Sequence, residues 1–77
     1  MNDSRRKEIN KAIGFLQEAQ SLLTQAQSDE QDAFDNMPEG LQASERGQAA
    51  ESAASSLSEA VDSLESAISS AEESVAS

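Results

Sequence analysis

The second half of the chain carries a regular heptad pattern of hydrophobic residues. Between residues 50 and 75, apolar side chains recur at alternating spacings of four and three residues. This pattern predicts an amphipathic helix with a contact seam for a partner helix. Ala53, Ala60 and Ala67 repeat beside the seam and allow a partner helix to come close. The seam positions are Ala50, Ala54, Leu57, Val61, Leu64, Ile68, Ala71 and Val75.

The first half carries a broader apolar stripe. Its large residues and its alanines each repeat every seven residues, and further apolar side chains flank them on both sides. At 100° per residue these positions cover roughly half of the helix circumference. One neighbouring helix cannot cover so wide a face, so we expect this helix to contact two partners. The stripe contains Ile9, Leu16 and Leu23, then Ala12, Ala19, Ala26 and Ala33, flanked by Ile13, Phe15 and Leu22.

Good helix formers fill both halves of the chain, which allows the two helices to be placed along the sequence. The first helix is predicted over about 4–34, with Asp3 or Ser4 as its N-cap. The second is predicted over about 45–74, with Ser44 as its N-cap. Both helices would be long enough to build an elongated molecule.

The segment between the helices, residues 35–44, is predicted to form a corner. Pro38 cannot lie inside a helix, because it lacks a backbone N–H and clashes with the preceding turn. Asn36 can cap a short helical turn here, with Glu39 as the reciprocal partner three residues later. Leu41 can then close the end of the molecule beside the preceding apolar residues, Phe34 and Met37.

Two residues at the start of the second helix have expected packing roles. Gly47 lies in the first turn, where alanine would be the better helix former. A glycine there indicates close backbone approach, either from the first helix or from a partner. Arg46 can reach back to Asp32 or Asp35 and hold the corner.

A short corner makes the helices antiparallel neighbours, so residues 1–77 are predicted to form one all-α domain, a coiled-coil-like hairpin. A chain of 77 residues is marginal for independent folding, and it has no Cys for a disulfide and no His for a metal site. Two hairpins that pair through the uncovered face of the first helix would make a four-helix bundle. The alternative is a parallel coiled coil between the second helices of two chains. We therefore expect a homo-oligomer, a dimer or larger.

Charge is segregated along the chain, whose formal net charge is −10. Residues 1–11 hold four basic and two acidic side chains, whereas residues 12–77 hold one basic and thirteen acidic side chains. The first helix is basic at its start and acidic at its end, which is opposite to the preference of the helix dipole. At the basic end, ion pairs with Glu65, Glu72 and Glu73 of the second helix would fix the direction of packing.

Five acidic residues crowd the end of the first helix and the corner, and Arg46 is the only base nearby. This acidic corner is either a solvated tip or a docking surface for a basic partner. The aspartates lack the alternating spacing of a calcium loop, so no metal site is predicted. The candidate partner-binding residues are Asp29, Glu30, Asp32, Asp35, Glu39 and Arg46. The candidate anion-binding residues, at the basic end, are Arg5, Arg6, Lys7 and Lys11.

Composition also narrows the classes of function. The chain lacks His, Cys, Tyr and Trp, and its serines have no evident activating partner, so we predict neither an enzyme nor a bound cofactor. There is no long apolar run for a membrane span and no apolar core for a secretory signal at the N-terminus. We expect a cytoplasmic protein that contacts neither membrane nor nucleic acid directly.

The corner segment resembles small acidic all-helical proteins encoded by bacteriophage and prophage genomes. The resemblance lies in Asp35-Asn36-Met37-Pro38-Glu39-Gly40-Leu41-Gln42, continuing to Ser44, Arg46 and Gly47. It extends to the basic amphipathic opening and to Leu64-Glu65-Ser66-Ala67. It implies a viral context and the cytoplasm of a host cell, and it implies no specific activity.

Three functional hypotheses follow. The first is a phage interaction protein that binds a host protein with a basic surface, as an inhibitor or as a mimic of DNA. The second is an oligomeric binder or sponge for a small anionic ligand such as a nucleotide, with the basic N-terminus as its site. The third is a structural coiled-coil subunit or scaffold.

Overall fold

The computed structural model describes all 77 residues, and the protein is all-α, as predicted. Helix α1 spans Asp3–Asp35, the short helix α2 spans Glu39–Gln42, and helix α3 spans Glu45–Ala76. No strand is present. Nearly the whole chain is therefore in two long helices, separated by a corner that contains one helical turn.

Helices α1 and α3 lie alongside each other and run in opposite directions. Near the start of α1, the Arg6 guanidinium donates a hydrogen bond to the carbonyl of Ser77, at a distance of 3.4 Å. At the other end, the Gln42 amide donates to the carbonyl of Phe34 at 3.1 Å. The resulting rod measures 58 × 14 × 13 Å.

The first residue of each long helix is set by a side-chain cap. In α1 the cap is Asn2, whose Oδ1 accepts a hydrogen bond from the backbone N–H of Arg5 at 2.8 Å. The predicted caps Asp3 and Ser4 are wrong, because Asn2 already supplies the extended backbone and the acceptor that the position needs. In α3 the predicted cap is confirmed: Ser44 Oγ accepts from the backbone N–H of Gly47 at 3.4 Å.

The contact between α1 and α3 is a narrow seam. All eight predicted seam residues of α3 are buried or half-buried, which confirms the heptad pattern. The facing seam of α1 is mixed, because polar side chains share it with apolar ones. Its members, all buried or half-buried, are Ile9, Ile13, Leu16, Gln20, Leu23, Gln27, Glu30 and Phe34.

The core that this seam forms is thin. Only five of the 77 residues are buried, and only Ile13 and Ile68 among them have large side chains. The other three are Gly47, Ala50 and Ala54, at the corner end of α3. Small residues let the helices come close there, but they bury little apolar area.

The corner differs from its prediction in two respects. Asn36 does not cap α2: it ends α1, and its N–H donates to the carbonyl of Asp32 at 3.0 Å. Its backbone is helical, whereas an N-cap needs the extended conformation that Pro38 has, so no bond to Glu39 forms. Leu41 remains 49% exposed and does not close the end of the rod.

The expectation of close approach at Gly47 is confirmed, but its source is different. A Cβ atom on Gly47 would lie 2.5 Å from the carbonyl oxygen of Leu41 and 2.6 Å from the carbonyl carbon of Gln42. The approaching backbone is therefore the corner itself, and neither α1 nor a partner. The hydroxyl of Ser44 also donates to the carbonyl of Leu41, which fastens α2 to the start of α3.

Candidate functional site

The acidic corner lies at one end of the rod. Its five residues come from the last turns of α1 and the first residue of α2. Four of them are exposed, while Glu30 is half-buried on the side of α1 that faces α3. The end of α1 is thus surrounded by carboxylates on most of its circumference.

None of the five acids forms an ion pair. Two of them accept hydrogen bonds from glutamine amides one helical turn earlier. Gln25 donates to Asp29 at 2.9 Å, and Gln31 donates to Asp35 at 3.0 Å. A neutral amide orients a carboxylate without cancelling its charge, so the negative charge remains available to a partner.

The expected contact from Arg46 to Asp32 or Asp35 is wrong. The one ion pair in the structure joins Arg6 to Asp3 at 3.7 Å. Arg46 directly precedes Gly47, a buried residue that continues the seam of α3 three residues before Ala50, whereas Asp35 directly follows Phe34 of the α1 seam. In antiparallel helices that face each other, these positions lie on opposite sides of the pair. Arg46 is exposed and leaves the acidic corner unneutralised.

The four basic residues near the start of α1 do not form a common site. Arg6 is half-buried and binds Asp3 and the carbonyl of Ser77. Arg5, Lys7 and Lys11 are exposed. The expected ion pairs with Glu65, Glu72 and Glu73 are absent, because Arg6 reaches the end of α3 beyond these glutamates.

The surface offers two shallow depressions, and both are lined only by polar side chains. The first follows α3 and is lined by Gln48, Glu51, Ser52, Ser55 and Ser56. The second follows α1 and is lined by Gln17, Gln20, Ser21, Thr24, Gln25 and Ser28. Neither depression adjoins the basic residues, so the structure gives the nucleotide hypothesis no pocket.

Two further features bear on candidate chemistry. No group of three or more acidic residues is arranged to hold a metal ion. None of the three helices has both the length and the apolar character that a membrane crossing requires.

The structure also divides the broad stripe of α1. Its inner part faces α3, while Phe15 and Leu22 remain 61% and 69% exposed. The sequence indicated that one helix could not cover the whole stripe. Only the packing of α1 against α3 showed that Phe15 and Leu22 are the large residues left exposed.

Comparisons with known proteins gave no match. No protein-family model matches the chain, and neither a curated protein nor a solved structure matches it.

Proposed function

We propose that the chain is a non-enzymatic interaction protein whose acidic corner binds a basic surface on a partner protein. The observation that carries this proposal is the set of five acids at one end of the rod, none of which forms an ion pair. An exposed field of one sign accelerates the encounter with an oppositely charged partner and selects against acidic ones. The end of α1 and the start of α2 hold these carboxylates together at one end of the rod.

The resemblance to phage proteins extends the proposal to the kind of partner. In that setting the partner is a host protein, and occupation of its basic surface would inhibit it. Duplex DNA of the rod's 58 Å length carries about 34 phosphate charges, against a formal charge of −10 for one chain and 2 × −10 = −20 for two paired chains. Mimicry of DNA would be strongest at the acidic corner, where the acids are densest.

The four-helix bundle expected from the sequence is a second part of the proposal. Its support is the thin core, since two large buried side chains are few for a chain of this size. A second rod would cover apolar side chains that a single rod leaves in water.

A pull-down from bacterial lysate tests the acidic corner. The test variant replaces Asp29, Asp32 and Asp35 by Asn and Glu39 by Gln. We expect this variant to bind its partner about tenfold more weakly or worse, because exposed ion pairs contribute roughly 0.2–1 kcal/mol each. The measurement is the amount of one identified protein that is retained by each form.

The control, which we call the shaft variant, removes the same number of negative charges from α3, away from the acidic corner. Four exposed acids of α3 are replaced by their amides, so that both variants change the net charge from −10 to −6. These acids are Glu51, Asp62, Glu65 and Glu72. If the shaft variant loses the partner as fully as the corner variant, binding depends on net charge and the corner is not the site. If added duplex DNA displaces the partner from the native protein, DNA mimicry is supported.

A further inference from the structure

One side of the rod carries almost no charge. In α1 the residues directly before the seam positions are apolar over four turns, and they include the exposed Phe15 and Leu22. In α3 the corresponding residues from Ala49 to Ser70 are all alanine or serine, and the charged residues of this side, Glu8, Asp29 and Arg46, lie towards the ends of the rod. Because the helices are antiparallel and face each other, the residue before each seam position lies on the same side of the rod in both. This uncharged face contains Ala12, Phe15, Ala19, Leu22 and Ala26 from α1, and Ala49, Ala53, Ser56, Ala60, Ser63, Ala67 and Ser70 from α3.

The opposite side of the rod has a different character. The residues that directly follow the seam positions are polar or charged along most of both helices, for example Gln17, Thr24 and Asp62. Both shallow depressions contain residues from these positions. Apolar exposure is thus concentrated on one side, which is the pattern of a covered interface.

We propose that the uncharged face binds a second copy of this chain in the reverse direction, so that the corner of each rod lies beside the N-terminus of the other. This inference rests on the pairing proposed above and does not depend on a partner for the acidic corner. The inference adds to that pairing the surface through which two rods bind and their relative direction. Both features follow from charge.

The first charge argument concerns the occupant of the face. Each chain carries a net charge of −10, so a contact that brings the acids of two copies together is unfavourable. The uncharged face avoids such contacts along the middle of the rod, because it contains no acidic residue. A basic partner, in contrast, would gain nothing from a surface without carboxylates.

The second charge argument concerns direction. The basic residues of α1 lie at its start and the acidic ones at its end, and neither group is neutralised by pairing within the rod apart from Arg6 with Asp3. A reversed second copy places the segment 1–11 of one chain beside the acidic end of α1 in the other. A copy in the same direction would place the two acidic corners together. The reversed order therefore also explains the charges that oppose the helix dipole.

The size and shape of the face suit a second copy. The whole side of the rod, 58 Å long and 14 Å wide, has a projected area of roughly 800 Å², which is the area that each partner of a standard interface buries. A contact of that size includes the charged ends of the rod as well as the uncharged face. Asp32 and Asp35 lie on other sides of α1 by their helical positions. Pairing through the face thus leaves them free for another partner.

Molar mass in solution tests the face. We expect the native protein to have twice its chain mass of 8.1 kDa by sedimentation, and the double variant Phe15→Ser/Leu22→Ser to have the mass of one chain. The control, Gln17→Ser/Thr24→Ser, changes the same turns on the polar side and should remain a dimer. A native monomer, a dimer that survives the first variant, or dissociation of both variants would each overturn the proposal.

A distance measurement tests the direction in a protein with its face intact. The chain has no cysteine, and a Cβ at Gly40 would meet nothing within 4 Å, so Gly40→Cys provides one spin-label site at the corner. In a reversed dimer the two labels should lie at a distance close to the 58 Å length of the rod. A separation well under half of that length would show corners side by side, which excludes the reversed order while leaving pairing itself intact.

Discussion

Replacement of Gly47 by alanine should destabilise the protein by about 1–3 kcal/mol, which is the usual cost of overpacking. The new Cβ would lie 2.5 Å from the carbonyl oxygen of Leu41 and close to the backbone of Gln42. These are backbone atoms of a corner that is fastened by hydrogen bonds, so no side-chain rotation relieves the clash. The free energy of unfolding from urea titrations, followed by circular dichroism, measures the loss.

The same substitution at Gly14 is the matched control. Gly14 lies in the interior of α1, and a Cβ there would meet nothing within 4 Å. Gly14→Ala should therefore stabilise the protein by about 0.5–1 kcal/mol, the helix-propensity difference between the two residues. If Gly47→Ala were also stabilising, the corner would be packed less tightly against the start of α3 than described.

Replacement of Ile13 by alanine should cost about 2–4 kcal/mol, because the residue is buried and the seam has few other large side chains to fill the space. That is a large share of the roughly 4–12 kcal/mol expected for a chain of this length. Ile68→Ala in the facing helix should have a similar effect, since it is equally buried. Urea unfolding is again the measurement.

Ile9 provides the control on the same seam. It lies one turn before Ile13, and it is only half-buried. Ile9→Ala removes the same atoms, and it should cost less than half as much. Equal losses at the two positions would mean that burial along the seam is uniform, and that the core is not concentrated in a few residues.

Helix α3 could be predicted well from the sequence, whereas the packing of α1 could not. In α3 the apolar residues follow one unbroken heptad pattern, so the seam predicted from the sequence is the surface that contacts α1. In α1 the apolar stripe is wider than one contact, and the orientation of the helix depends on how the corner positions it. The seam that results contains Gln20, Gln27 and Glu30, while Phe15 and Leu22 remain outside it.

The start of α1 and the corner show a second limit. Asn2, Asp3 and Ser4 are all good capping residues, and the sequence alone does not distinguish them. The acids of the corner were evident from composition, but the side of the rod on which each lies was not. That placement explains why Arg46 does not pair with Asp35.

Thermal unfolding at different protein concentrations tests most directly whether the rod is half of the folded unit. Over a roughly hundredfold range of concentration, coupling between folding and pairing should change the stability by about 2.7 kcal/mol and raise Tm by several degrees. A Tm that does not change with concentration while the protein remains folded would show that the rod is stable alone. In that case Phe15 and Leu22 would be exposed in the native protein, and the uncharged face would have no second copy to bind.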